Sequence, residues 1–228
     1  MKKKAAKKHS TKDQIRSSET RELLYQTAVA LFRTEGYDET TMRKISAESG
    51  LSLGLLYYHF QSKQEIVLEF YKRTQQDSDR KCRNFFSQNK DLKKRILFIV
   101  KDKLDQFKPY RNFLYVLSRS AGDPFDPLSP FSTSTAATRN EALEIISAAL
   151  TDSNVKIAVD FKRVLIFSIW MYQLGIIYLS LRLEDQKKLE YFMESSAEIL
   201  IKMIKFSSFS IFKKFRLALS QTLERLLE

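Results

Sequence analysis

The sequence predicts an all-α fold, and three observations carry that prediction. Only five glycines and four prolines interrupt 228 residues. Apolar side chains recur at spacings of three and four rather than two, the helical period. The run TMRKISAESGLSLGLLYYHFQSKQEI, from Thr41 to Ile66, packs two short apolar patterns around one glycine before a third begins. Helices of seven or eight residues are marginal alone because nucleation is costly, so these must lean on one another. The expected architecture is an N-terminal three-helix domain of helix-turn-helix type followed by a larger C-terminal helical domain, with the boundary inside a helix. In numbers, residues 1–16 form a basic tail, 17–63 the first domain and 64–228 the second.

The elements follow in order. The tail MKKKAAKKHSTKDQIR has almost nothing to bury and reads as disordered. It lacks the apolar segment and cleavage site of an export signal. It is either a solvated extension or an arm that touches phosphates beside a DNA-binding domain. Over 18–34, Leu24, Ala28, Leu31 and Phe32 share one face, and Gly36 supplies a stop. Thr41 caps a second helix that turns Ile45 and Ala47 inward and ends at Gly50. Ser52 caps a third that ends near Phe60, and Ser62 with Glu65 forms a capping box for a fourth that reaches towards Asn89. Two short helices joined by ESGLS are a helix-turn-helix, which presents its second helix to the DNA major groove. Leu56 and Phe60 anchor that helix to Leu31 and Ile45. Leu53, Gly54, Leu55, Tyr57, Tyr58 and His59 are left to be divided between surface and DNA.

Charge and composition agree with this reading. Thirty-nine Lys and Arg against 27 Asp and Glu give a formal charge of +12, which favours an anionic partner, either nucleic acid or an acidic membrane face. Cys82 is the only cysteine, so no intramolecular disulfide or cysteine zinc cluster can form, and a reducing, cytoplasmic setting is expected. Lys81 and Arg83 flank that thiol, an arrangement that can lower its pKa, yet on a charged helix it reads as a bystander. Two histidines make no zinc site, and the sequence shows no phosphate loop and no nucleophile with a nearby base. No enzyme activity, metal or cofactor is therefore expected.

The run LLYQTAVALFRTEGYDETTMRKISAESGLSLGLLYYHFQSKQEIVLEFY resembles the DNA-binding domain of the tetracycline-repressor (TetR) family. The matches come in register: LF, G-Y, T-T, G-L-S, G-x-L-Y-x-H-F and S-K-x-E. The resemblance implies backbone contacts from Thr41 and Arg43, base-edge contacts from Leu53, Gly54 and Leu55, and phosphate contacts from Tyr57, His59 and Lys63. Leu55 stands where the family often has threonine, which shifts readout there towards a thymine methyl group. A lysine at a helix N-terminus also strengthens an anion site on physical grounds. The resemblance further implies a homodimer joined through its last large helices, a palindromic double-stranded DNA operator, and release of a repressor by a small molecule.

Beyond Asn89 the pattern is helical over 91–107, 110–121, 131–150, 155–183, 185–206 and 209–227, broken by the loop GDPFDPLSP. The uncharged run VLIFSIWMYQLGIIYLSL, 164–181, is long enough to cross a bilayer, so a membrane-associated helical protein is the alternative reading. A helix buried on two sides is also apolar all round. It contains Gln173, two serines and Gly175, and with no comparable run elsewhere it reads as a dimerisation helix with no membrane partner. Ser168 and Gly175, seven apart, share a face that admits a partner helix, whereas Trp170, Gln173 and Ile177 face the other way. With Tyr110, Phe113 and Leu117 they are expected to line a pocket for a hydrophobic or aromatic ligand.

Overall fold

The structure is a computed structural model that describes residues 2–123 and 125–227, with side chains described from Gln14 to Arg225 except at 120, 121 and 124. Among the described residues there is no strand. The α-helices are α1 (Lys2–Thr34), α2 (Met42–Ser49), α3 (Leu53–His59), α4 (Lys63–Gln88), α5 (Leu92–Phe107), α6 (Arg111–Gly122), α7 (Ala136–Leu150), α8 (Lys162–Arg182), α9 (Gln186–Ser207) and α10 (Lys213–Leu227). The expected disordered tail falls, up to residue 13, outside the residues whose side chains are described. Its backbone from Lys2 onward is nevertheless helical and forms the first turns of α1, contrary to the disorder expected up to Arg16.

The chain divides into two compact units, with the boundary inside α4 as the sequence suggested, but after Tyr71 rather than residue 63 and with α6 returned to the first unit. One comprises Met1–Tyr71 with Tyr110–Ser134, the other Lys72–Pro109 with Thr135–Glu228. The reason is aromatic packing. In the first unit α6 returns to α1, and Phe113, fully buried, stacks on Phe32 at 5.1 Å between ring centroids, with Phe70 edge-on to it at 5.6 Å. Tyr110 meets Phe70 at 5.0 Å. Around these rings pack Leu24, Ala28, Ile45, Leu56, Phe60 and Ile66, all at 0% exposure. Arg21 clamps α1 to α4 by two 3.2 Å hydrogen bonds to the Glu69 carboxylate, while its guanidinium lies 4.6 Å from the Phe60 ring centroid.

The second unit is built on α5, α7, α8 and α9 and the latter part of α4. Cys82, Phe86, Ile96, Ile146, Ile169 and Trp170 belong to its larger cluster, and Leu97, Val100, Ile176 and Met193 to a smaller one. Burial pushes the Cys82 thiol up to about 12, with Asp102 adding to the shift, so the flanking cations do not activate it. It is an inert core thiol at neutral pH.

A polar seam runs through this apolar unit between α4 and α5. The buried Asp102 accepts a 2.6 Å bond from Ser78 Oγ, and Lys81 Nζ lies 3.3 Å from its other oxygen. Beside it the buried Lys103 donates to the Thr74 carbonyl at 3.1 Å. Burial lowers the Lys103 pKa to about 8, opposed in part by Asp102. Between about pH 8 and 10.5 the unfolded chain keeps a proton here that the folded chain has shed, so the contribution of this group to stability rises with pH across that window and is lowest below pH 8. Lys103→Met removes the buried ammonium. It is expected to stabilise the protein by about 1–3 kcal/mol at pH 7 and to flatten the rise between pH 8 and 10.5. Urea unfolding at pH 7 and 9.5 checks both; a destabilised variant would show that the bond to Thr74 outweighs the cost of burial.

Candidate nucleic-acid interface

The α2–turn–α3 segment is held by local chemistry. Thr41 Oγ1 accepts from the Lys44 amide at 3.1 Å and Ser52 Oγ from the Leu55 amide at 3.2 Å, so both helices begin on side-chain caps. Gly50 closes α2 with φ +68°, a left-handed conformation that side chains disfavour, and the Gly50 and Leu51 amides bond back to Ala47 and Ser46. Ser46 Oγ donates to the Leu51 carbonyl at 2.6 Å, which ties the turn to the helix before it. Ile45, Leu56 and Phe60 are buried as expected. Ala47 is not: it is exposed, because the buried face of so short a helix is filled by Ile45 and Ser46.

Anchoring and presentation use different sides of α3. Leu56 has no exposure, whereas Tyr57 and Tyr58 are 42% and 74% exposed, far from the buried packing that tyrosine pairs often adopt. Gly54 is exposed, and Leu53, Leu55 and His59 are half-buried. Thr41 and Arg43 are exposed at the start of α2. The His59 ring meets Tyr58 edge-on at 5.0 Å, and its pKa is lowered by burial and then by the Arg21 charge.

Lys63 opens α4. Its Nζ donates to the Tyr37 carbonyl at 2.7 Å and stands 4.3 Å from the Tyr37 ring centroid. Burial lowers its pKa against the opposing pull of Asp38 and Glu39. The G-Y pair after α1 therefore makes a seat for this lysine, a role that sequence reading did not give to Tyr37. Two of the three ammonium hydrogens remain for another acceptor. The capping box is shifted by one residue: Ser62 Oγ accepts from the Glu65 amide at 3.2 Å, while the Glu65 carboxylate accepts from the Gln61 amide at 2.6 Å.

The residues expected to line a ligand pocket are divided between the two units. Tyr110, Phe113 and Leu117 belong to the first unit, where Phe113 and Leu117 are core side chains at 0% and 3% exposure. Trp170 and Gln173, each at 4%, are packed inside the second unit, and Ile177 is half-buried. On each helix the face is the inward one that the spacing led us to expect. On the other side of α8, Ser168, Met171, Gly175 and Tyr178 form an exposed stripe, and Ser168 also lines an open groove of about 420 Å³ against α10. Phe192, Ile199, Met203 and Phe206 make a matching exposed stripe on α9, which the sequence reading missed. With the turn before it, α8 is long and apolar enough to cross a membrane, but Leu165, Ile169, Trp170 and Ile176 turn one face of it into protein core.

The profile of bacterial regulatory proteins of the tetR family matches residues 24–70, which hold part of α1, all of α2 and α3 and the start of α4. An HTH-type transcriptional regulator of Bacillus subtilis, YerO, itself uncharacterised, is 37% identical over 57 residues, and this match spans 24% of the chain and only 20% of YerO. A TetR transcription regulator from Haloarcula marismortui shares the fold over 82% of this chain and 98% of its own, with 16% identity and a TM-score of 0.61. A transcriptional regulator from Cytophaga hutchinsonii does so over 81% and 97%, with 21% identity and a TM-score of 0.59.

Proposed function

We propose that this chain, whose residues 24–70 match the tetR family of bacterial regulatory proteins, is a cytoplasmic, homodimeric, DNA-binding repressor that leaves a palindromic operator when a small hydrophobic or aromatic molecule binds. The carrying observation is the division of α3 into a buried Leu56 side and an exposed Tyr57 and Tyr58 side, capped and oriented against α2. In this reading Leu53, Gly54 and Leu55 meet base edges, and Thr41, Arg43, Tyr57, Tyr58, His59 and Lys63 meet the sugar-phosphate backbone. The exposed apolar stripes of α8 and α9, with Ser168 and Gly175 allowing close approach, support a seam between two copies. The two reading heads then match half-sites about 34–36 Å apart.

The ligand is proposed to act on the inward face of α8, around Trp170, Gln173 and Ile177, by separating side chains that the free protein keeps in contact. Helix α4 contributes residues to both units, so a displacement of its second part passes to the first without a flexible linker. Altered spacing of the two heads then lowers operator affinity. Trp170 is the only tryptophan, and its fluorescence gives a direct titration for candidate ligands.

The test of the DNA reading is fluorescence anisotropy with DNA flanking the protein's own gene, over a range of salt. Lys63→Ala is expected to weaken binding and to lower the slope of log affinity against log salt by roughly one for each phosphate that the lysine no longer neutralises. An unchanged affinity and slope in this variant removes Lys63 from the interface and leaves it the structural seat on Tyr37.

A further inference from the structure

We propose that the corner between α9 and α10 is a docking surface for an anionic lipid bilayer, on which the protein lies without crossing it. From Ile199 to Leu223 the chain has no acidic residue, while it carries Lys202, Lys205, Lys213, Lys214 and Arg216. Lys205, Lys213 and Lys214 are exposed and form no ion pair among the described residues, whereas Lys202 is held by Glu198 at 2.8 Å. Between and beside these lysines, Phe209 is 61% exposed, Ile211 81% and Phe215 59%. Three large apolar side chains held out among unpaired cations are the composition of an interfacial anchor: the apolar groups enter the acyl boundary and the lysines meet acidic headgroups.

The corner is built to keep these groups outward. Arg216, 5% exposed, donates to both Asp160 oxygens at 3.1 and 3.3 Å and to the carbonyls of Ser207 and Phe209 at 2.6 and 2.9 Å. This buried guanidinium pins the end of α9, the turn Ser210–Phe212 and the start of α10 together. It also occupies the Asp160 carboxylate, so Asp160 does not neutralise the surface lysines.

Charge chooses the occupant. A second copy seated on the α10 side of the corner, Phe209 to Phe215, beyond the α9 stripe of the proposed seam, would bring Lys213 and Lys214 against their own counterparts with no carboxylate in the stretch to offset them, a juxtaposition that suppresses association. An acidic bilayer meets the same lysines favourably and offers a medium for protruding side chains, which a nucleic-acid backbone does not.

Flotation of the full chain with vesicles of phosphatidylglycerol and phosphatidylcholine, against phosphatidylcholine alone, tests this. Binding to the mixed vesicles is expected, with little or none to the neutral ones. Ile211→Ser/Phe215→Ser, which leaves every lysine in place, is expected to lower that binding at least tenfold with an unchanged melting curve. Lys213→Glu/Lys214→Glu, which leaves the apolar groups in place, is expected to abolish it at low salt. Absence of binding by the unaltered protein overturns the proposal. So does equal binding by the serine variant, which assigns the attraction to lysines elsewhere, including those of the N-terminal segment. A serine variant that dissociates from dimer to monomer also overturns it, because the corner is then a contact between copies.

Discussion

The Arg95→Met variant is expected to lose about 3 kcal/mol or more of unfolding free energy and to melt on the order of 10 °C lower. Arg95 is 3% exposed and meets no carboxylate among the described residues. Its guanidinium instead donates to four carbonyls: Phe86 at 2.8 Å, Ala149 at 3.0 Å, Thr151 at 2.7 Å, and Asn89. These lie at or just beyond the C-termini of α4 and α7, where backbone acceptors lack intrahelical donors and the helix dipole is negative. One cation therefore closes two helix ends. Methionine recovers the desolvation cost of the charge but leaves the buried Phe86 and Ala149 carbonyls without donors, and the second effect wins because each bond to a charged donor contributes about 1.5–3 kcal/mol. Chemical denaturation of the variant decides it. A loss below about 1 kcal/mol would mean that water reaches those carbonyls.

Gly175→Trp is expected to leave each protomer folded while abolishing the dimer and lowering operator affinity by about 10²–10⁴, the factor by which linking two reading heads raises avidity. A Cβ added at Gly175 meets nothing within 4 Å in the protomer, and the position is exposed, so the substitution has no internal clash to blame. The indole is expected to point outward from this exposed position and to obstruct an approaching partner. Trp170→Ala, on the buried side of the same helix, is expected to keep the dimer and to blunt the ligand response. Sedimentation velocity at micromolar concentration separates the cases; a Gly175→Trp protein that remains dimeric moves the seam off this face of α8.

The helix-turn-helix unit was the more legible part of the sequence because its signals are local. A cap at Thr41 or Ser52 and a left-handed turn at Gly50 are determined within four residues, and all three are found where the sequence puts them. The partner of α6 is a different kind of question. Phe113 and Leu117 mark an apolar face correctly, but nothing in spacing says that the face meets Phe32, far earlier in the chain, rather than the helices that follow. Hence the residues grouped by the sequence fall in two units of the chain. Arg95 was illegible for a similar reason: a lone arginine in a lysine-rich helix looks solvated until its four carbonyl partners are assembled from distant segments.

The polar seam between α4 and α5 has a consequence for motion. Apolar side chains slide over one another almost continuously, because dispersion has no preferred direction. The bonds from Ser78 and Lys81 to Asp102, and from Lys103 to Thr74, are directional, and they act as teeth. A slip of α4 past α5 strains these bonds and works against the buried charge, whereas staying in register keeps them. Helix α4 therefore has a preferred axial register against α5, and a shift of the helix costs these bonds as well as apolar contact.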